Sequence, residues 1–159
     1  MKIGIISDSH GDFAAIERAV QQAGSVDLWL HAGDCCPDAE YLQQIAKAKL
    51  VHVAGNCDWP GAAALLDEVV AVDGHTLWLT HGHLYGVNFG LENLAQEAIA
   101  RGCDIAVYGH THMAVERNVA GVLILNPGSI ARPRGNGPAS FMVLTLENNK
   151  ISVNLRECI

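Results

Sequence analysis

The chain is short of charge, and of positive charge in particular. Only 17% of its 159 residues are charged, and 17 acidic residues face 10 basic ones, for a formal net charge of -7. An acidic chain gains little from counterion release along a polyanion, so long nucleic acid is not an expected partner. Aromatics are scarce too, at 6%, and no basic, aromatic-lined stretch offers bases a groove to stack in. No apolar run reaches the roughly 18–20 residues of a membrane span. The apolar start, Met1 to Ser7, is too short for a signal peptide and runs straight into Asp8. The five cysteines (Cys35, Cys36, Cys57, Cys103 and Cys158) are odd in number and contain no Cys-x-x-Cys. They do not read as a disulfide framework, so a reducing, cytoplasmic location is expected. Repeats, charge blocks and low-complexity linkers are also missing, which points to a single domain over residues 1–159.

What the chain does have is apolar residues, half of the total, enough for a packed core. Their period alternates between strand and helix. Lys2 to Ser7 reads as a buried strand. Asp12 then caps a helix whose apolar face is Phe13, Ile16, Ala19, Val20 and Ala23, stopped by Gly24. Val26 to Ala32 and Leu50 to Ala54 are strands, separated by a short helix from Asp38 to Lys47 with Tyr41, Leu42 and Ile45 inward. Glu68 to Val72 and His75 to Thr80 flank Asp73-Gly74, a strong hairpin signal. Leu91 to Ala100 is helical and ends before Gly102. Strands follow at Asp104 to Tyr108, Ala114 to Val119, Val122 to Leu125, Ser140 to Leu146 and Ile151 to Arg156, the last two joined through Asn148-Asn149. The first half reads as parallel βαβ units, the second as added antiparallel strands. Two mixed sheets packed face to face, with helices outside, bury all these faces.

Five of the apolar strands end in residues that bind metals. The first runs into Asp8 and His10, the second into Asp34, the third into Asn56, the strand after the hairpin into His81, and the Ile105 strand into His110 and His112. Ligand sites of α/β sheets lie just past the carboxyl ends of strands. Gly11, Gly33, Gly55, Gly82 and Gly109 adjoin these residues, where a sharp turn or a close approach is useful. In Asp8-x-His10 and His110-x-His112, the i, i+2 spacing on extended chain would point both side chains one way. Taken singly, Asp8-Ser9-His10 fits a capped helix entry, and Gly33-Asp34 and Gly55-Asn56 fit ordinary turns. Such pieces at five strand ends together point to a metal centre. His31 and His52, within or near strands, read as structural, and His75 as an exposed hairpin residue. Cys35 and Cys36 read as small buried thiols, Cys103 and Cys158 as core or terminus residues.

The donor set mixes imidazole, carboxylate and amide oxygen, which suits Mn, Fe, Zn, Co or Ni and not an all-oxygen Mg or Ca cage. Seven donors are too many for one tetrahedral ion. They suit two divalent ions sharing a carboxylate, which, about 3.5–4 Å apart, clamp the attacking and leaving oxygens of a phosphoryl displacement. The ions bring four positive charges, the two aspartates remove two and a hydroxide one. The remainder, about +1, matches a singly charged phosphodiester. A phosphomonoester dianion would need another cation. Arg132 and Arg134, after Asn126-Pro127-Gly128-Ser129, either supply it or belong to a solvated Gly/Pro-rich loop.

In family order, the motifs are Asp8-Ser9-His10-Gly11, Gly33-Asp34, Gly55-Asn56-Cys57-Asp58, His81-Gly82-His83, Gly109-His110-Thr111-His112 and Asn126-Pro127-Gly128-Ser129. In these the chain resembles the calcineurin-like metallophosphoesterase superfamily, and within it the small YfcE-type phosphodiesterases. The resemblance implies a four-layer α/β/β/α sandwich and a metal-dependent phosphoric ester hydrolase. It implies Asp8, His10 and His112 on one metal, Asn56, His81 and His110 on the other, and Asp34 between them. The metals would be transition ions, Mn above all. A hydroxide between them would be the nucleophile, and Asn56 would also touch the phosphate of a small phosphodiester substrate. One departure concerns the general acid. Many members carry His after the Gly-Asn pair to protonate the leaving group, whereas this chain has Cys57, as the small branch does. A neutral thiol is a poor acid and Asp58 carries no proton at neutral pH. The chain then favours good leaving groups, or employs His83 or water.

Three other readings compete. The retromer scaffold subunit uses the same fold as a non-catalytic protein-interaction surface, but all seven donor positions here keep competent residues. A nuclease is disfavoured by charge. A metallo-β-lactamase-type hydrolase lacks its His-x-His-x-Asp-His run. Self-association is left open.

Overall fold

The computed structural model of the chain describes residues 1–62, 64–148 and 150–159. Ten strands and three helices are assigned among them, in the order β1 (Lys2–Ile6), α1 (Phe13–Ala23), β2 (Leu28–His31), α2 (Cys36–Ile45), β3 (Lys49–His52), β4 (Asp67–Val72), β5 (His75–Thr80), α3 (Glu92–Ala100), β6 (Ile105–Val107), β7 (Ala114–Val119), β8 (Val122–Pro127), β9 (Ser140–Glu147) and β10 (Lys150–Glu157). They build two five-stranded sheets, in the orders β10-β9-β1-β2-β3 and β4-β5-β6-β8-β7.

Period-two alternation sorts the side chains into layers. On β1, Ile3 and Ile5 face the opposite sheet while Ile6 faces the helices; on β2, Leu28 and Leu30 face inward and Trp29 outward. The second sheet mirrors this: Leu77, Leu79, Ile105 and Val107 enter the same central layer, and Trp78 and Ala106 turn toward α3. Helices α1 and α2 cover the outer face of the first sheet, and α3 that of the second. The result is the four-layer α/β/β/α sandwich expected from the motifs.

Several local expectations hold for the physical reasons given. Asp12 caps α1, its side chain accepting from Ala15 N at 2.9 Å, and Gly24 closes it at φ 67°. Asp73 and Gly74 both have positive φ and join β4 to β5 in a two-residue turn. Others are corrected. The second half is not simply antiparallel: β5, β6 and β8 run parallel, with antiparallel partners only at the edges β4 and β7. The final hairpin returns to the first sheet, β9 lying antiparallel to β1. Phe13 is outside the α1 core and 45% exposed, its ring 4.5 Å from that of Tyr41. Helix α2 starts earlier than Asp38, with Pro37 in its first turn, where a missing N–H costs nothing. His75 is half-buried and bonded through Nδ1 to Asp104 Oδ2 at 2.5 Å. Of the expected Asn148-Asn149 turn, Asn148 has φ 51°, and Asn149 lies outside the described residues.

One close contact fixes the α1 side of the first sheet. Gly4 pairs with Trp29 across β1 and β2, and the buried indole lies over it. A Cβ on Gly4 would stand 2.5 Å from the ring. Gly4→Ala should therefore force the indole out of place and destabilise the chain by roughly 1–3 kcal/mol, the usual range for overpacking. Thermal unfolding of the two proteins checks this; an unchanged Tm would show that the layer yields freely.

Candidate metal centre

The carboxyl ends of β1, β2, β3, β5 and β6 come together at one edge of the sandwich. Asp8, His10, Asp34 and His112 form one group there, with donor atoms all within 4.8 Å of one another. His112 Nε2 lies 3.2 Å from Asp8 Oδ1 and 3.3 Å from His10 Nε2, and His10 Nε2 is 3.9 Å from Asp34 Oδ2. A second group gathers on Asn56 Oδ1, with His81 Nε2 at 3.1 Å and His110 Nδ1 at 2.9 Å. Asp34 reaches both, since its other oxygen, Oδ1, is 3.3 Å from His81 Nε2. All seven residues named from the sequence lie at this edge, and Asp34 reaches both groups.

The backbone route to this arrangement differs from the expected one. Asp8, His10, Asp34, His110 and His112 all adopt positive φ, between 46° and 64°. The pairs Asp8-x-His10 and His110-x-His112 therefore lie on sharply turned chain, not extended chain. Left-handed backbone at non-glycine residues costs of order 1–3 kcal/mol each and collects at functional sites. Two glycines serve a different need. A Cβ on Gly55 would stand 2.1 Å from Asp34 Oδ1, and one on Gly109 2.0 Å from Ser7 Oγ and 2.8 Å from Asp8 Oδ2. Neither has a positive φ; both are empty so that a carboxylate can sit against the backbone.

The donors fit a cation. His81 Nδ1 is 2.8 Å from Ala32 O, and His112 Nδ1 is 2.6 Å from Arg132 O. A carbonyl can only accept, so each Nδ1 carries a proton, and in the neutral ring Nε2 presents a lone pair. The lone pair of His81 faces two further acceptors, Asp34 Oδ1 and Asn56 Oδ1. His112 Nε2 approaches Asp8 Oδ1 without hydrogen-bond geometry, leaving that buried oxygen unpartnered. Acceptors converging on acceptors require a positive charge among them. A proton does part of this: contact with Asp8 raises the His112 pKa, partly opposed by burial. Burial pushes Asp8 up, but His112, the nearby His81 and the Ser7 hydroxyl together hold it below the usual carboxylate value. Burial lowers His10 and His110, keeping them neutral, the form that binds metal.

The remaining predicted residues divide. Arg132 and Arg134 line the same cleft, of about 310 Å³, with His10, Asp34, Asn56 and Cys57. Their loop is tied down, since Arg132 O holds His112 and Arg134 N donates to His112 O at 3.1 Å. Cys57 is exposed overall, but partial burial of its sulfur, followed by contact with Asp34, pushes its pKa up to about 11. Asp58 bonds to Gly55 N and Cys36 N, at 2.8 and 2.7 Å, and acts as a clasp. His83 lies outside this cleft but close to it: its ring is 5.3 Å from that of His81 and 6.2 Å from that of His110, and it lines a neighbouring cavity with Asn56 and Trp59.

Supporting residues were less visible in sequence. Asn126 Nδ2 donates to Gly109 O at 2.8 Å, and Ser129 Oγ donates to Asp8 O at 2.7 Å while accepting from Arg132 N. Asn88 Nδ2 meets His110 Nε2 at 3.1 Å from a loop that carries no strand-end signature. Under the cleft a buried chain runs from Gly33 N to His31 Nδ1, from His31 Nε2 to Ser9 Oγ at 3.0 Å, and from Ser9 Oγ to Asp38 Oδ2 at 2.6 Å. Asp38 also accepts from Gly11 N at 2.7 Å. His31 is thus structural, as expected, and couples the Asp8 loop to the Asp34 loop.

A two-sheet sandwich with an aspartate–histidine centre at its strand ends defines the metallophosphoesterase class. The family model for the calcineurin-like phosphoesterase superfamily domain matches residues 1–149, and the chain belongs to that superfamily, among its small YfcE/YsnB-type proteins. It is 36% identical to the Bacillus subtilis protein named "Probable metallophosphoesterase YsnB", over 96% of this chain and 89% of that one. It is equally 36% identical to Phosphodiesterase YfcE of Escherichia coli K12, over 96% and 91%. A crystal structure of a predicted phosphoesterase from Streptococcus pneumoniae superimposes with a TM-score of 0.85 at 29% identity, covering 99% of this chain and 89% of that one. No helix among the described residues is long and apolar enough to cross a membrane.

Burial lowers the His31 pKa to about 4, against 6.5 for the free side chain. Between those values the unfolded chain takes up a proton that the folded chain refuses, so stability falls as pH falls through that window. The loss amounts to about 3 kcal/mol at pH 4. Urea unfolding from pH 7 to pH 4 should give a flatter dependence for His31→Gln than for the parent; parallel curves would remove His31 from the acid response.

Proposed function

We propose that the chain is a two-metal phosphodiesterase, with Asp8, His10 and His112 on one ion, Asn56, His81 and His110 on the other, and Asp34 shared. The observation that carries this reading is Asp34 itself, whose two carboxylate oxygens face two separate donor groups. The mixed donor set favours Mn, with Fe, Zn, Co and Ni compatible. Such ions, when bound, supply Lewis acidity and an activated hydroxide.

The chain's own residues do the rest. Ala32 O and Arg132 O fix the tautomers of His81 and His112. Arg132 and Arg134 draw an anion into the cleft. Asn56 Nδ2 makes a weak contact to Cys57 Sγ at 3.6 Å, which a phosphate oxygen would replace. Cys57 stays protonated but is too weak an acid to help a poor leaving group. Two arginines in the cleft also mean that charge counting alone no longer separates diesters from monoesters. The diester reading instead draws on the names of relatives such as YfcE. Against the scaffold reading we set the competent residue types at all seven donor positions and the relatives named as phosphodiesterases.

Two measurements test the proposal. After reconstitution with Mn, elemental analysis should approach two ions per chain. Asp34→Asn should lose at least one ion and about 100-fold or more in turnover, since even outer partners of metal ligands cost about 10–100-fold. His83→Ala should keep both ions. Two ions and near-normal turnover in Asp34→Asn would place the bridge elsewhere. Second, kcat/KM for bis(4-nitrophenyl) phosphate should exceed that for 4-nitrophenyl phosphate; the reverse order would make the chain a monoesterase and direct attention to the two arginines.

A further inference from the structure

A second cavity, of about 410 Å³, opens beside the metal cleft and shares His112 and Arg134 with it. Beyond that common wall it is bounded by Met113, Pro138, Leu155 and Glu157. None of these four takes part in the donor set, and the roles above leave the space unused.

Its walls mix apolar and charged side chains. Arg134 stands at the cleft end. Met113 and Leu155 are large apolar side chains left 48% and 51% exposed. The Met113 sulfur lies 3.7 Å from where a Cβ on Gly135 would be, so the thioether borders the turn that closes the cavity. Leu155 projects from β10, where it pairs with Met142 of β9. Arg156 also borders the cavity, but its guanidinium donates to Gln22 O at 2.6 Å and so points toward α1. Glu157 puts a carboxylate among the walls. Apolar surface and charge of both signs thus line one cavity beside the cleft.

A phosphodiester has two ester arms. Hydrolysis breaks the P–O bond to one arm and forms a P–O bond from water, whose proton goes to the departing oxygen or to solvent. The other arm stays on phosphorus and needs a place throughout. Resting on the phosphodiesterase reading, we propose that this cavity holds the retained arm, and that the arm it selects is of aromatic-ring size. A thioether and a leucine suit a ring face. His112 and Met113 are neighbours in sequence, so the step from reacting centre to specificity surface is one residue long.

The test compares bis(4-nitrophenyl) phosphate with methyl 4-nitrophenyl phosphate on the Mn-loaded full chain. Both release 4-nitrophenolate and differ only in the retained arm. Met113→Ala and Leu155→Ala should each lower the ratio of kcat/KM values, bis-aryl over methyl, by roughly 5- to 10-fold. A lesion that merely loosens the fold lowers both rates and leaves the ratio alone, and an unchanged ratio overturns the proposal. If neither ester is hydrolysed, the phosphodiesterase reading fails and binding decides this one. In zinc-treated chain with labelled methionine methyl groups, diphenyl phosphate should shift the Met113 resonance and dimethyl phosphate should not. Absence of that selective shift overturns the assignment of the cavity.

Discussion

Lone pairs facing lone pairs are the constraint on which this molecule is organised. Asp34, Asn56 and His81 aim acceptors at one small volume, and Asp8, His10 and His112 at another. Without positive charge between them these groups repel, and the chain holds them together anyway. It does so through specific neighbours: carbonyls take the far side of two imidazoles, Ser7 takes one oxygen of Asp8, and Cys57 N donates to Asp34 Oδ1 at 2.9 Å. The strained backbone at five of the donors belongs to the same arrangement, being sustained by a scaffold that is packed on both faces of both sheets.

The donors themselves were legible in the sequence because of where they stand. An apolar run of strand length followed at once by Asp, Asn or His says both that a strand ends and that a ligand-type residue sits at its carboxyl end. The five repetitions did more than any one motif. The layer order was legible for a similar reason, since alternation along Ile3, Ile5 and Leu28, Leu30 survives unaltered in the packed structure. Pairing partners were not, because a strand's alternation is blind to the direction of its neighbour. Hence β6 and β8 turned out parallel, and β9 crossed back to β1.

The support beneath the site was the hardest part to see. Asp38 looked like a helix start and is instead a buried acceptor for Ser9 and Gly11. Ser129 looked like part of a loop motif and holds a carbonyl 121 residues away. Such bonds join positions with no common period, and only the folded chain brings them into range. The left-handed donors were likewise unreadable, because Asp and His carry no mark of φ, whereas the glycines beside them at least announce a tight place.

The position of β9 has a consequence for how the chain reaches this state. Ile3 on β1 lies opposite Leu144 on β9, so one flank of the central strand is closed by residues far later in the chain. Until then β1, β2 and β3 can associate, but β1 exposes an apolar edge with no mate. Closing a loop of that length is slow compared with forming the local hairpins of the second sheet. The nascent chain must therefore protect an open strand edge, the surface most prone to pairing with another chain, until the C-terminal hairpin is free to seal it. Assembly of the Asp8 loop waits on the same event, because Ser129, which grips its backbone, arrives on the segment leading into that hairpin.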